Sequence, residues 1–398
     1  MIKFHNIQEK DARNKRIIIR VDLNVPMDGT KIKDNTRIKE IIPTITGLLD
    51  FNTAIIIISH MGRPKGKKNL KLSLSPIAIE LSRLINKDVH FIDHIPDNNS
   101  PHNKNSFDLS SIYMLENLRF YPGEEENDPN FIHNLSQIGD IYVNDAFSVS
   151  HRSHASTIGI ANILPSYAGP NMLKELHTLE SLLKNPKKPM AAIIGGSKIS
   201  TKIQILENLI EKVDKIIIGG AMANTFLIAQ GHELGKSLCE PDKIKIAKGI
   251  LIKAKKQNCK IILPVDAQIS TTLKHGANTK NVLLSKIPKD HMVLDLGQES
   301  TNIIINELKG IKTLIWNGPM GAFEFSPFEK STIAIANSVS KLTKSNKMIS
   351  VAGGGDTISA LNMAGVNRDL TYISTAGGAF LEWLEGKILP GIKVLLKQ

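Results

Sequence analysis

Cysteine is nearly missing from this chain: two in 398 residues, Cys239 and Cys259. They form no CxxC or other metal-ligand spacing, so a disulfide scaffold and a zinc ribbon are excluded, and both are read as reduced thiols of a cytoplasmic protein. Aromatic residues are scarce, at 5%. None interleave with basic residues in the manner that stacks nucleobases. No apolar run approaches the ~18 residues of a membrane span; the longest, such as 54–58, are strand-sized. The first residues, MIKFHNIQEKDARNKR, are polar and charged, unlike a signal peptide. There is no GxxxxGKS/T, hence no P-loop, and no GxGxxG dinucleotide fingerprint. His151-Arg152-Ser153 lacks the aspartate of a protein-kinase catalytic loop. The sequence shows no internal repeat and no low-complexity segment.

Acidic charge is in deficit, 38 Asp and Glu against 50 Lys and Arg, for a formal net charge of +12. A nucleic-acid partner must therefore be weighed. The lysines are dispersed in segments such as 243–256, where they fit exposed helix faces, so nucleic acid is not expected as the main partner. The length exceeds one ordinary core, so two domains are expected.

Strand-like runs recur through the chain: 16–21, 54–59, 89–92, 112–115 and 141–143, then 191–194, 215–218, 260–263, 292–294, 313–316, 348–351 and 372–374. They are continuous in Ile and Val rather than alternating, which argues for strands buried on both faces of a largely parallel sheet. Helical patterns lie between them, for example 201–212, 241–257 and 327–341. The expected fold class is α/β, with two doubly wound parallel-sheet (Rossmann-like) domains. The Pro/Gly-rich segment 164–170 breaks the chain. A helix with Leu173, Leu176, Leu179 and Leu183 on one face follows, and 184–189 breaks it again. That pattern suggests an interdomain connector, or else one more surface helix of a single large domain.

Glycine is present where it can serve a ligand. Gly195-Gly196, Gly219-Gly220, Asn317-Gly318-Pro319-Met320-Gly321, Gly353-Gly354-Gly355-Asp356-Thr357 and Thr375-Ala376-Gly377-Gly378 each follow a strand-like run. Most precede a helical pattern, so together they would form a phosphate-binding rim. Lys198 and Lys202, four apart, would share a face at the start of the helix after Gly196. Asp356 could cap its helix, hold Mg²⁺ on nucleotide phosphates, or do both. Glu324 is either a ribose hydroxyl acceptor or a solvated loop carboxylate. The first half has no glycine series. It carries Asp22, Asn24, Arg37, His60, Arg63, Arg119 and Arg152 near strand ends, and arginine grips phosphate or carboxylate bidentately. One half looks built for a nucleotide, the other for a small anion.

Taken together, these motifs resemble the phosphoglycerate kinase family over nearly the full length. The match runs through RVDLNVP (20–26), SHMGRP (59–64), ENLRF (116–120), NDAFSVSHRSH (144–154), GGSKISTKI (195–203), WNGPMGAFE (316–324), GGGDT (353–357) and STAGGAFLEWLEGKILPG (374–391). The resemblance implies reversible phosphoryl transfer between ATP plus 3-phosphoglycerate and ADP plus 1,3-bisphosphoglycerate, with Mg²⁺. It implies a phosphoglycerate site of Asp22, Leu23, Asn24, Arg37, His60, Met61, Gly62, Arg63, Arg119 and Arg152. It implies a nucleotide site of Gly196, Lys198, Lys202, Gly219, Gly220, Asn317, Pro319, Glu324, Gly354, Gly355, Asp356 and Thr357. Arg37, Lys198, Lys202, Gly355 and Gly378 would act on the transferred group, and Asp356 would hold the metal. It further implies a cytoplasmic monomer, with no membrane or nucleic-acid partner. The domains would be 1–170, a connector 171–188, and 189–385, with the tail from about 386 to 398 packing back on the first. Three departures stand out: Ala376 where glycine is common, Gln298 where proline is common, and Met61 where leucine is common.

A carboxylate acceptor is ionised at pH 7, so such a reaction needs no general base. No nucleophile–base dyad is visible in the sequence. Two anions must meet, so cationic groups and loop amides would screen the transferring phosphoryl, and domain closure would bring the two ligands together. Two other classes stay open at this point: a non-catalytic anion- or nucleotide-binding module, and a basic nucleic-acid-binding protein.

Overall fold

Uninterrupted isoleucine makes the strands. IIII at 55–58 and III at 17–19 can be buried only where both faces of a sheet are covered. A computed structural model describes Phe4 and residues 7–96, 104–184, 186–374 and 376–396, the side chains of 182–184 excepted. It divides into two units, residues 1–180 with 388–398, and residues 181–387. Each is an α/β unit around a six-stranded parallel sheet.

The first unit opens with the short helix α1 (Glu9–Ala12), strand β1 (Arg16–Arg20) and the small hairpin β2 (Met27–Asp28) and β3 (Lys31–Ile32). Then come α2 (Thr36–Leu49), β4 (Ala54–Ile58), α3 (Ser75–Ile85), β5 (Val89–Ile92), β6 (Ile112–Leu115), α4 (Pro122–Glu126), α5 (Pro129–Ser136), β7 (Ile141–Asn144), β8 (Ser166–Ala168) and α6 (Pro170–Lys184). The sheet order is β5-β6-β4-β1-β7-β8. Ile17, Ile19, Ile55 and Ile57 enter one core, and Ile18, Ile56 and Ile58 enter the core on the other face. Each fully buried isoleucine is worth roughly 1.5–3 kcal/mol relative to exposure. The order reverses beside β1, where open α/β sheets bind ligands.

In the second unit β9 (Met190–Ile194), α7 (Ile203–Ile210), β10 (Lys215–Ile218), α8 (Ala221–Ala229), α9 (Ile244–Lys256) and β11 (Lys260–Ile262) build half of the sheet. A separate antiparallel sheet follows, β12 (Asp266–Ser270), β13 (Lys280–Leu283) and β14 (Met292–Leu296), in the order β13-β12-β14. Then α10 (Gln298–Leu308), β15 (Thr313–Asn317), α11 (Lys330–Lys344), β16 (Ile349–Gly353), α12 (Gly355–Met363), β17 (Tyr372–Ser374) and α13 (Gly378–Leu384) complete the parallel sheet, β11-β10-β9-β15-β16-β17. Its switch point lies between β9 and β15. The last helix, α14 (Pro390–Lys393), belongs to the first unit: Gly391 N–H donates to the Ser150 carbonyl at 2.8 Å, and Phe4 bridges Leu396.

The two large sheets are parallel, as expected, and the small antiparallel sheet is an addition whose strands β12 and β13 were not among the expected runs. β8 likewise lies inside the segment expected to be only a break. In α6 the buried residues include Leu176 and Leu179, while Leu173 is half-buried. The side chain of Leu183 lies outside the described residues.

Candidate active site

Side chains at the carboxyl ends of the first unit's strands form one basic cluster. Ser59 joins the ends of β1 and β4, accepting from Leu23 N–H at 3.0 Å and donating to the Val21 carbonyl at 2.8 Å. Beyond that joint, Arg37 Nη1 donates to Asp22 Oδ2 at 2.7 Å and to the Asn24 carbonyl at 3.0 Å. Asn24 Oδ1 accepts from Gly62 N–H at 3.0 Å, and the Gly62 carbonyl accepts from Arg119 Nη1 at 2.7 Å. Asp22, Asn24, Arg37, Gly62 and Arg119 are thus linked by hydrogen bonds. Leu23 and Met61 are buried beside them, Arg152 is half-buried and Arg63 is exposed.

The electrostatics of this cluster are unbalanced toward positive charge. His60 is buried, and its Nδ1 accepts from Arg20 Nη2 at 2.9 Å. Burial foremost, then Arg20, Arg119, Arg152 and Arg37, hold its pKa well below the ordinary value, so the ring is neutral. Arg119 is itself pushed down to about 10, by burial and then by Arg152 and Arg20. Its Nε lies 3.3 Å from Glu125 Oε1, but Nε and Nη2 are both buried without a hydrogen-bond partner. Buried guanidinium groups left so are costly unless an anion meets them.

Three more basic residues belong here, beyond the expected phosphoglycerate-site residues. Arg20 is buried and donates from Nε to Ser156 Oγ at 3.1 Å, and Ser156 donates to the buried Glu124 at 2.6 Å. His154 Nδ1 lies 3.7 Å from Glu124 Oε1. His151 is pushed down to about 4 by burial and Arg152, and its Nδ1 is buried without a partner. The signal for Arg20 was available: a charge at the end of an Ile run buried on both faces must be paired or functional.

The second unit brings its glycine loops together at the switch point. Gly195 N–H donates to the Asn317 carbonyl at 2.9 Å, Gly220 N–H to the Met320 carbonyl at 2.8 Å, and Met222 N–H to the Gly196 carbonyl at 3.0 Å. Gly220 has φ +69°, and a Cβ there would overlap the backbone of Gly196. Gly219 packs on Met320. Asn317 Oδ1 accepts from Lys202 Nζ, and its Nδ2 donates to the Gly353 carbonyl at 2.7 Å. Thr357 Oγ1 accepts from Gly318 N–H at 2.7 Å and donates to the Gly353 carbonyl at 2.9 Å. The Lys202 ammonium is pushed down by burial, which Asp356 and Glu385 oppose. After Gly354, Gly355 opens α12 with Asp356 exposed in its first turn. A Cβ on Gly355 would meet nothing within 4 Å, so no packing demands glycine there. Gly378 opens α13 and is exposed, Ala376 is buried, and Thr375 lies outside the described residues.

The expectation for Lys198 and Lys202 needs correction. They do not share a face of one α-helix. Lys198 precedes a 3₁₀ turn at Ile199–Thr201 and is exposed, whereas Lys202 follows that turn, just before α7, and is half-buried.

A cleft of about 290 Å³ adjoins these loops. Leu238, Leu284, Met292 and Val293 give it an apolar wall, partly from β14, and Gly196, Gly220, Pro319, Glu324 and Asp356 also line it. No Arg, Lys or His is among its lining residues. Such a slot suits an apolar planar group with hydroxyls at its rim and leaves phosphates to the loops and Lys202. Among the described residues no group of three or more His, Cys, Asp or Glu could hold a metal ion, and no helix is long and apolar enough to cross a membrane.

The fold is thus two α/β units, with a basic cluster in the first and glycine loops at the strand ends of the second. The phosphoglycerate kinase family model matches residues 7–387. The chain is 48% identical over 385 residues to the phosphoglycerate kinase of Zymomonas mobilis, covering 97% of each. It is 50% identical over 392 residues to that of Rhodopseudomonas palustris, covering 98% of each. The phosphoglycerate kinase structure from Coxiella burnetii superposes with a TM-score of 0.89 at 39% identity, covering 99% of both chains. That from Pyrococcus horikoshii superposes with a TM-score of 0.79 at 28% identity, covering 98% of both. The chain belongs to the phosphoglycerate kinase family.

Proposed function

We propose that the two clusters divide the family's reaction between them. The chain is a phosphotransferase with a carboxyl acceptor, interconverting ATP plus 3-phosphoglycerate and ADP plus 1,3-bisphosphoglycerate in glycolysis. In this reading Asp22, Asn24, Arg37, His60, Arg63, Arg119 and Arg152 take the phosphoglycerate, with Leu23, Met61 and Gly62 shaping the site. The single observation that carries it is the buried Arg119, whose Nε and Nη2 make no hydrogen bond in a cluster where Arg20, Arg119, Arg152 and Arg37 all act on neutral His60. A doubly charged phosphate ester would satisfy those donors.

The nucleotide's base would lie in the apolar cleft, with Glu324 toward the ribose. Gly196, Lys198, Lys202, Gly219, Gly220, Asn317, Pro319 and Gly354 through Thr357 would surround the phosphates. Asp356 would hold Mg²⁺ together with those phosphates. An exposed carboxylate without a further cluster of acids fits an ion that keeps waters and phosphate oxygens as its other ligands. When bound, the ion would neutralise phosphate charge. Lys202, Lys198, Arg37 and the amides at Gly355 and Gly378 would screen the transferring group, and no general base is needed. Both cysteines are free thiols, which supports a cytoplasmic site of action. A monomer is expected by size-exclusion chromatography. The reading is tested by ATP consumption with and without 3-phosphoglycerate. Consumption dependent on it supports the assignment, and consumption indifferent to it overturns it.

A further inference from the structure

Two loops that line the cleft are fastened to each other just beyond it. The loop between β12 and β13 supplies Leu273 to the cleft, and the loop between β15 and α11 supplies Glu324. A short way past these residues the loops meet. Ser326 N–H donates to His275 Nδ1 at 3.2 Å, and Gly276 N–H donates to the Ser326 carbonyl at 2.8 Å. The rings of His275 and Phe325 lie side by side, with centroids 5.4 Å apart. The two sides of this clasp differ in their footing. Ser326 Oγ donates to Glu329 Oε1 at 3.0 Å, at the N-terminal cap of α11. Phe328 N–H donates to the Phe325 carbonyl at 2.9 Å, and Phe328 is buried. By contrast, residues 271–276 are all exposed, so packing does little to hold them. They turn at Gly276, which has φ +68°.

We propose that His275 is a positioning residue for nucleotide binding: by accepting the Ser326 N–H it clasps the mobile side to the anchored side and keeps Leu273 on the cleft. The inference rests on the reading of this cleft as the nucleotide site. His275 is not among the cleft's lining residues, so it acts through Leu273. With Nδ1 accepting, the proton of the neutral ring sits on Nε2. Carbon in place of that acceptor leaves the Ser326 N–H to water, since Ser326 is exposed, and no buried donor is orphaned. The fold is therefore spared. What changes is the freedom of the 271–276 loop, which the nucleotide must then order at a cost to its own binding. The transferring phosphoryl group lies with the glycine loops and Lys202 in this reading, so the chemical step is spared too.

The test measures KM for ATP and kcat at saturating 3-phosphoglycerate and fixed pH, with thermal melts as a control on folding. His275→Ala is expected to raise KM for ATP about threefold to tenfold, the scale of one lost hydrogen bond. Its kcat should change by less than about twofold, the pattern of lost uniform binding. His275→Asn sets an amide oxygen where Nδ1 stands and should restore most of the affinity. Leu273→Ala should also raise KM for ATP, and the double variant should be no weaker than Leu273→Ala alone, because the clasp then has nothing to hold. An unchanged KM in His275→Ala or in Leu273→Ala overturns the inference. So does a His275→Asn variant as weak as His275→Ala, or a double variant in which the two effects multiply. Failure of the wild type to use ATP at all overturns the nucleotide reading instead.

Discussion

Lys202 is the residue on which the chemistry depends most in this account. Its ammonium is half-buried, hydrogen-bonded to Asn317 and near Asp356, and in the proposed reading it would meet the charge that develops on the moving phosphoryl group. Lys202→Ala is expected to lower kcat by roughly 10²–10³, about 3–4 kcal/mol, by the scale of lost transition-state donors, with a much smaller change in nucleotide affinity. Steady-state kinetics with calorimetric ADP binding separates the two effects, and an unchanged kcat would remove Lys202 from the mechanism. His60 gives a stability expectation with a definite sign. Its pKa is depressed in the folded chain by burial and four arginines, so below the unfolded value of about 6.5 the unfolded state takes up a proton that the folded state refuses. Its contribution to stability is present above that pH and is lost as pH falls toward the folded value. Thermal melts from pH 7.5 to 5 should show a shallower acid decline for His60→Asn than for wild type. An equal decline would place the acid sensitivity elsewhere. At this scale the sequence disclosed charged residues that follow strands, such as Arg63 and Arg119, whereas Arg37, expected beside a strand, lies in the first turn of α2. Arg20 carried a signal too, a charge ending an Ile run, but which partners bury it depends on what covers the sheet.

The elements divide into those that composition encodes and those that pairing creates. Runs such as IIII at 55–58 and KIII at 215–218 were legible because a strand covered on both faces has no polar alternation to obscure it. The antiparallel sheet was half hidden. Asp266–Ser270 and Lys280–Leu283 carry Asp, Gln, Lys and Asn, so they read as loop until their partner strand is known. Yet β14 of that sheet supplies much of the apolar wall of the cleft, which is why the cleft itself was not legible. The lysine pair failed for a related reason, since a 3₁₀ turn before α7 changes the angular spacing that an α-helix would give. The glycine loops were legible as strand ends, but not their mutual packing. Gly220 shows what that packing demands: φ +69° with ψ −173°, against the backbone of Gly196. Such a conformation is nearly confined to glycine, and Gly220→Ala should cost about 1–3 kcal/mol in stability and raise KM for ATP. Chemical denaturation and kinetics check this. A variant with unaltered stability would show that the two loops can part without cost.

For the whole molecule the central claim is one ligand set on each unit. Arg119→Ala should weaken 3-phosphoglycerate binding and leave ADP binding nearly intact, because Arg119 belongs to the first unit and, in the proposed reading, its Nε and Nη2 donors would take the acid's phosphate. Asp356→Asn should weaken Mg-ADP and spare the acid. Calorimetric titration of each variant with each ligand decides this, and equal weakening of both ligands by either change would contradict the division. The net charge of +12 adds an expectation for anionic substrates: KM for 3-phosphoglycerate should rise with salt, as the excess positive charge is screened. The most direct measurement of the whole account asks where the phosphoryl goes. With ATP, Mg²⁺ and 3-phosphoglycerate in the presence of hydroxylamine, transfer to a carboxylate yields an acyl phosphate, which hydroxylamine traps as a hydroxamate. Hydroxamate formed in step with ADP, and neither formed without 3-phosphoglycerate, is the expected result. ADP released without hydroxamate would mean hydrolysis or transfer to a hydroxyl, and would contradict the carboxylate-acceptor mechanism.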